Sequence, residues 1–177
     1  VQEGAVIPVQ VSADGHESKG PILITPPRVS GHYLHLRPDI PGVLTPKHTK
    51  ATSAAPLTAA ISPLLATTEG AIVRRTALDL RGNEIFHALK ADLDATRDQW
   101  AEIEEKRAQA NAPCCLDRGP EPIARLLSPI VTADVTSIVT SDHGSAKAAR
   151  EWCERYYPNI EDRVEVWTGS CLLYTSP

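Results

Sequence analysis

Methionine is absent from all 177 residues, position 1 included. The chain opens in mid-pattern, so the expectation is a fragment of a longer protein. No apolar run nears the roughly 20 residues that a membrane span needs, and no signal peptide is visible. The expectation is therefore a cytoplasmic protein. The four cysteines, Cys114, Cys115, Cys153 and Cys171, form no C-x-x-C and have no histidine at zinc-finger spacing. A structural zinc site is not expected, and the thiols read as small hydrophobes in a reducing compartment. Positive charge is not in excess either. The net charge is −4, which argues against wholesale coating of nucleic acid but leaves room for a local basic site.

What is present is ordinary for a soluble protein: 42% hydrophobic and 23% charged residues, enough for one good core or two small ones. Four of the six histidines (His16, His32, His35, His48) and the lysines Lys19, Lys47 and Lys50 lie in the first 50 residues, the more cationic part of the chain. The most telling stretch is Gly70 to Ala77. Ala71-Ile72-Val73 has strand propensity, and Arg74-Arg75-Thr76 follows at once. Two guanidinium forks and a hydroxyl at a strand exit are suited to phosphate or carboxylate oxygens. The plainer reading is that these arginines pair with surface carboxylates.

Around it, Val6 to Val11 and Ile22 to Thr25 predict a hairpin, with Lys19 in its loop. That lysine either touches a phosphate or simply protects a strand edge. Val29 to Leu36 alternates and predicts one strand, with Gly31 where the backbone turns or something approaches closely. Residues 37–50 read as an irregular connection, and Ala54 to Leu65 as a helix. Ile85, Leu89, Leu93, Thr96, Trp100 and Ile103 recur at spacings of 4, 4, 3, 4 and 3. This predicts an amphipathic helix of about 25 residues with its tryptophan in the core. A break over 111–120 follows, then a helix from Ile123 to Val131. A strand (Val135 to Thr140), a helix (Ala146 to Tyr157) and a strand (Arg163 to Thr168) then suggest an α/β unit. Asp142 to Ser145 precedes that last helix and either holds an anion or caps it. Cys171 to Pro177 resembles a translated sequencing adapter and is expected to be a cloning scar.

Taken in order, these pieces form a collinear series: Ser18-Lys19-Gly20, then Ser30-Gly31-His32-Tyr33-Leu34-His35-Leu36, Gly42-Val43, and Glu69-Gly70-Ala71-Ile72-Val73-Arg74-Arg75-Thr76-Ala77. The long helix, Ala124-Arg125-Leu126-Leu127 and Arg163-Val164-Glu165-Val166-Trp167-Thr168-Gly169 complete it. The series resembles the ribonuclease E/G family of bacterial endoribonucleases from about Val1 to Gly169. The resemblance implies a mixed α/β, α+β fold. Residues 1–28 would be the last strands of an OB-fold RNA-binding module, and about 29–130 a 5′-sensor domain. Residues 131–169 would end the sensor and re-enter a ribonuclease H-like segment, with 170–177 the tail. It also implies that Gly31, Arg75 and Thr76 bind the 5′-terminal monophosphate of an RNA, the glycine through its backbone amide, and that Lys19 contacts RNA.

Single-stranded RNA is the implied partner, and the full-length enzyme could be a homo-oligomer. That enzyme would use Mg²⁺ held by two aspartates downstream of Gly169, so this stretch is expected to need no cofactor and to have no nuclease activity alone. Three positions depart from the family pattern. Leu44-Thr45-Pro46 follows Gly42-Val43 where serine and basic residues are usual, His35 replaces an apolar pocket residue, and Arg74 adds a basic residue ahead of Arg75. The alternatives are a non-catalytic RNA-binding module in which Lys19, Arg28 and Arg75 make only backbone contacts, and a small-anion domain using Asp142 to Ser145.

Overall fold

The computed structural model describes residues 3–16, 18–132 and 134–169; the adapter-like stretch 171–177 lies outside them. The strands are β1 (Gln10–Ala13), β2 (Ile22–Ile24), β3 (Val29–Ser30), β4 (Leu34–Arg37), β5 (Gly42–Leu44), β6 (Gly70–Val73), β7 (Ile138–Thr140) and β8 (Val164–Val166). The helices are α1 (Ala51–Ile61), α2 (Glu84–Gln109), α3 (Pro122–Leu127) and α4 (His143–Tyr156). The fold is mixed α/β, built on small sheets. Among the described residues none of the sheets closes into a barrel. The chain divides into two compact units at Gly119/Pro120.

In the first unit, β1 and β2 form an antiparallel hairpin with Gln10 opposite Ile24. The first strand lies later than the Val6-to-Val11 alternation predicts. The unit's main sheet has the order β3-β4-β6-β5. Its neighbours β3/β4 and β4/β6 are antiparallel, and β5/β6 is parallel. Two expectations change here. The strand predicted over Val29 to Leu36 is broken at Gly31–Tyr33 into the hairpin β3–β4. The connection predicted as irregular contains β5, whose three residues pair Val43 with Ala71 at the centre. Parallel pairing against the apolar β6 supplies what three residues lack in propensity of their own.

Alternation then sorts the sheet's two faces. Val29, Leu34, Leu36, Ala71 and Val73 are buried together with Leu57 and Ile61 of α1 and Leu89 and Leu93 of α2. The 3.6-residue stripe read from the sequence is the one that packs, with Ile85, Trp100 and Ile103 partly buried at its margins. Gly70 is glycine for a steric reason: a Cβ there would meet the carbonyl oxygen of Gly42 at 2.5 Å and that of Ile40 closer still. Arg97 fastens α2 to the approach to β6, donating through Nε to Glu69 at 3.0 Å and through Nη2 to the Leu64 carbonyl at 2.8 Å.

The second unit is a strand–helix–strand. β7 and β8 run parallel, with Val139 opposite Glu165, and α4 crosses between them. Ala146, Ala149, Trp152 and Cys153 from α4 join Ile138, Val164, Ile160, Leu127 and Val131 in its core. Asp142 caps α4, its carboxylate accepting from the Ser145 amide at 2.8 Å. This is the ordinary one of the two roles that the sequence allowed. Leu126, 64% exposed, lies outside that core.

Candidate functional site

The site grows from the turn that splits β3 from β4. Gly31 donates its N–H to the carbonyl of Leu34 at 2.8 Å, closing the turn. The next three amides point at one side chain, Asp92 of α2. Its Oδ1 accepts from His32 N–H at 2.8 Å, and its Oδ2 from Tyr33 and Leu34 N–H at 2.8 and 2.9 Å. A buried carboxylate that takes three backbone donors satisfies groups that the turn itself cannot pair. Its surroundings pull its pKa in two directions. Burial raises it, the three amides and the Arg74 charge lower it, and burial prevails. Gly31 permits this approach, because a Cβ would meet the Asp92 Cγ at 2.6 Å and its Oδ2 closer still.

The exit of β6 lies against the same turn. Arg74 N–H donates to the Tyr33 carbonyl at 2.8 Å, and its Nη1 donates to the Gly31 carbonyl at 2.5 Å. Thr76 is buried and donates its hydroxyl to the His32 carbonyl at 2.6 Å. After Arg74 the chain leaves the strand and enters a 3₁₀ turn, Arg75–Asp79. This places Arg75 on the surface. His32 is buried, its ring edge-on to Tyr33 at 4.5 Å. Burial, helped by the Arg74 charge, lowers its pKa to about 4, so the ring is neutral at pH 7.

Of the residues singled out in the sequence, Gly31 and Thr76 are therefore brought to one turn, linked through the adjacent carbonyls of residues 31 and 32. The guanidinium that reaches Gly31 is that of Arg74. Arg75 stands exposed one residue further on. Lys19 lies in the β1–β2 loop, exposed, in a paired backbone bridge with His16 at 2.9 and 3.0 Å. Sequence reasoning missed Asp92. The signal was there: Leu89, Asp92, Leu93 and Thr96 share one helical face, and a carboxylate inside an apolar stripe needs buried donors.

Chemically, the turn is braced by the Arg74 guanidinium and the Thr76 hydroxyl, both donated to its carbonyls, and the Arg75 guanidinium is exposed beside it. Among the described residues no group of three or more His, Cys, Asp or Glu is placed to hold a metal ion. Nor is any helix among them long and apolar enough to cross a membrane.

Comparison with known proteins accords with the collinear series. The chain is 26% identical over 148 residues to ribonuclease E of Nostoc sp. (strain PCC 7120 / SAG 25.82 / UTEX 2576). The alignment covers 84% of this chain and 21% of that protein, so the chain spans about a fifth of its relative's length. The model of the ribonuclease E/G family matches residues 29–176. Five-sixths of the sequence lies inside that match, and the chain belongs to the ribonuclease E/G family.

Proposed function

We propose that this chain is the RNA-binding, 5′-end-sensing portion of an endoribonuclease that cleaves single-stranded RNA in the cytoplasm. The observation that carries this is the meeting of Gly31, Arg74 and Thr76 at one turn, with Arg75 exposed beside them. In this reading Arg75 faces the terminal phosphate at the Gly31 turn, Thr76 would join it by turning its hydroxyl from the His32 carbonyl, and Arg74 holds the turn's carbonyl edge while adding positive charge. A dianionic monophosphate gains charge-assisted bonds from such a fork, which a bulkier, differently shaped triphosphate would make less well. Lys19 supplies a backbone contact from the hairpin. That hairpin is read as the end of an OB-fold module (1–28), with the sensor over 29–130 and the ribonuclease H-like re-entry over 131–169. Hydrolysis, with Mg²⁺ as the cofactor of the whole enzyme, belongs to residues beyond this stretch.

The test compares binding of one single-stranded oligonucleotide carrying a 5′-monophosphate, 5′-triphosphate or 5′-hydroxyl. The expected result is tightest binding of the monophosphate, and loss of that preference in Arg75→Ala, with the general salt-dependent affinity remaining. Equal affinities for the three ends would refute sensing and leave a non-catalytic RNA-binding module.

A further inference from the structure

The connection between α2 and α3 carries two adjacent thiols, Cys114 and Cys115. The sequence reads them as small hydrophobes that pack. In the structure both are free and exposed. Cys153 makes the contrast, since it is fully buried in the core of the second unit. For the exposed pair, reactivity rather than packing decides what the side chains can do.

Their surroundings narrow that chemistry. A structural zinc ion takes four ligands, and among the described residues no group of three or more His, Cys, Asp or Glu is placed to hold a metal. What the pair offers is a reaction that needs two sulfurs and nothing else. The two thiols also differ from each other. Cys115 donates its S–H to the Asp117 carbonyl at 3.5 Å, a bond it must give up before its sulfur attacks anything. Asp117 is in turn tied to α2, its Oδ2 accepting from Gln99 Nε2 at 3.2 Å. Cys114 has no such bond to lose among the described residues.

We infer that Cys114 and Cys115 are a thiol–disulfide couple, closed by oxidised glutathione and reopened by reduced glutathione, with Cys114 the entering thiol and Cys115 the resolving one. The Cys114 thiolate, its proton lost to water, attacks one sulfur of oxidised glutathione. A bond from Cys114 to that sulfur forms, the glutathione S–S bond breaks, and one glutathione thiolate leaves and is protonated. Cys115 then releases its proton and attacks the Cys114 sulfur, expelling the second glutathione thiolate. Two protein thiols are oxidised to one disulfide, and one oxidised glutathione is reduced to two thiols. The second step is intramolecular, so it outruns another encounter with glutathione.

The ring that forms is strained. Adjacent α-carbons stand about 3.8 Å apart across a trans peptide, whereas disulfides ordinarily span about 4.4–6.8 Å. Strained, exposed disulfides are the labile ones, and transient disulfides are the kind that a reducing compartment admits. The inference stands apart from the RNA-binding reading.

The experiment equilibrates the full chain with mixtures of reduced and oxidised glutathione and traps free thiols with N-ethylmaleimide. Mass spectrometry then reads the tryptic fragment 108–118, which carries both thiols and no other cysteine. As the mixture turns oxidising, the fragment is expected to lose both maleimide sites and to weigh two hydrogens less than the reduced peptide. As the mixture turns reducing, both sites should return. Cys115→Ser should hold one glutathione on Cys114 and form no ring. Cys114→Ser should take up glutathione on Cys115 about two- to fivefold more slowly, the worth of one weak hydrogen bond. Both variants alter exposed side chains outside the core.

Two thiols that stay free in every mixture overturn the inference. So does a fragment carrying glutathione on both sulfurs, or one found only in crosslinked pairs of chains. A ring that reduced glutathione fails to open overturns the labile couple, and capture by Cys115 as fast as by Cys114 overturns the order of attack.

Discussion

Gly31 and Asp92 make one feature, and a double-mutant cycle can measure it. Asp92→Ala removes the acceptor of three buried amides, those of His32, Tyr33 and Leu34. Stranding a buried donor costs about 1–3 kcal/mol. Part of that is returned, because the carboxylate's own burial is unfavourable, as its raised pKa records. A net loss of about 3–5 kcal/mol is expected. Gly31→Ala drives a methyl group into the same carboxylate, whose Cγ would stand at 2.6 Å. Overpacking of this kind costs about 1–3 kcal/mol.

All three nearest atoms to the added carbon belong to Asp92. With the carboxylate gone, the methyl group has room. The double variant should therefore be less destabilised than the sum of the singles by at least ~1 kcal/mol. Urea unfolding followed through the methyl resonances of Leu89 and Leu93 reads the first unit alone, which avoids averaging over two units. Strict additivity, or an Asp92→Ala loss below ~0.5 kcal/mol, would refute the reasoning.

Two further outcomes concern the same unit. His32, buried, and His35, half-buried, each have a folded pKa of about 4 against an ordinary 6.5, so both are neutral in the fold at pH 7. Their contribution is complete above 6.5 and is lost as pH falls through about 4, at most about 3 kcal/mol each. Asp92 runs the other way, since a raised carboxyl pKa favours the fold below its unfolded value and loses that contribution as pH rises through the folded one. Urea midpoints measured from pH 7 to pH 4 should therefore fall, and fall less in His35→Leu; a flat profile contradicts the neutral-histidine assignment. Leu93→Ala, at a fully buried position, should cost about 2–5 kcal/mol. Leu126→Ala, at a site 64% exposed, should stay within about 0.5 kcal/mol. Thermal or urea unfolding distinguishes the two.

How much of this could be read beforehand depends on how local its cause is. The stripe Leu89, Leu93, Trp100, Ile103 declares its helix because each residue sees its neighbours one turn away. The strand–helix–strand of the second unit was legible for the same reason. The break at Gly31–Tyr33 was not. Leu34-His35-Leu36 continues a perfectly good alternation, and what stops the strand is a carboxylate about 60 positions later in the chain. Nor was β5 legible, since Gly42–Leu44 is a strand only because β6 lies beside it. At the site, the arginine pair and the threonine were visible as anion-binding chemistry. Which of the two guanidinium groups turns inward was decided by the departure from the strand after Arg74, a matter of backbone path that composition does not record.

The Asp92 carboxylate is, in effect, a resident anion. It has already claimed the amides of residues 32 to 34, so those three donors are not available to any second anion. The carbonyl edge of the same turn is held from the other side by Arg74 and Thr76, so a substitution at 74 or 76 disturbs the turn itself, whereas the exposed Arg75 can be exchanged without redrawing it.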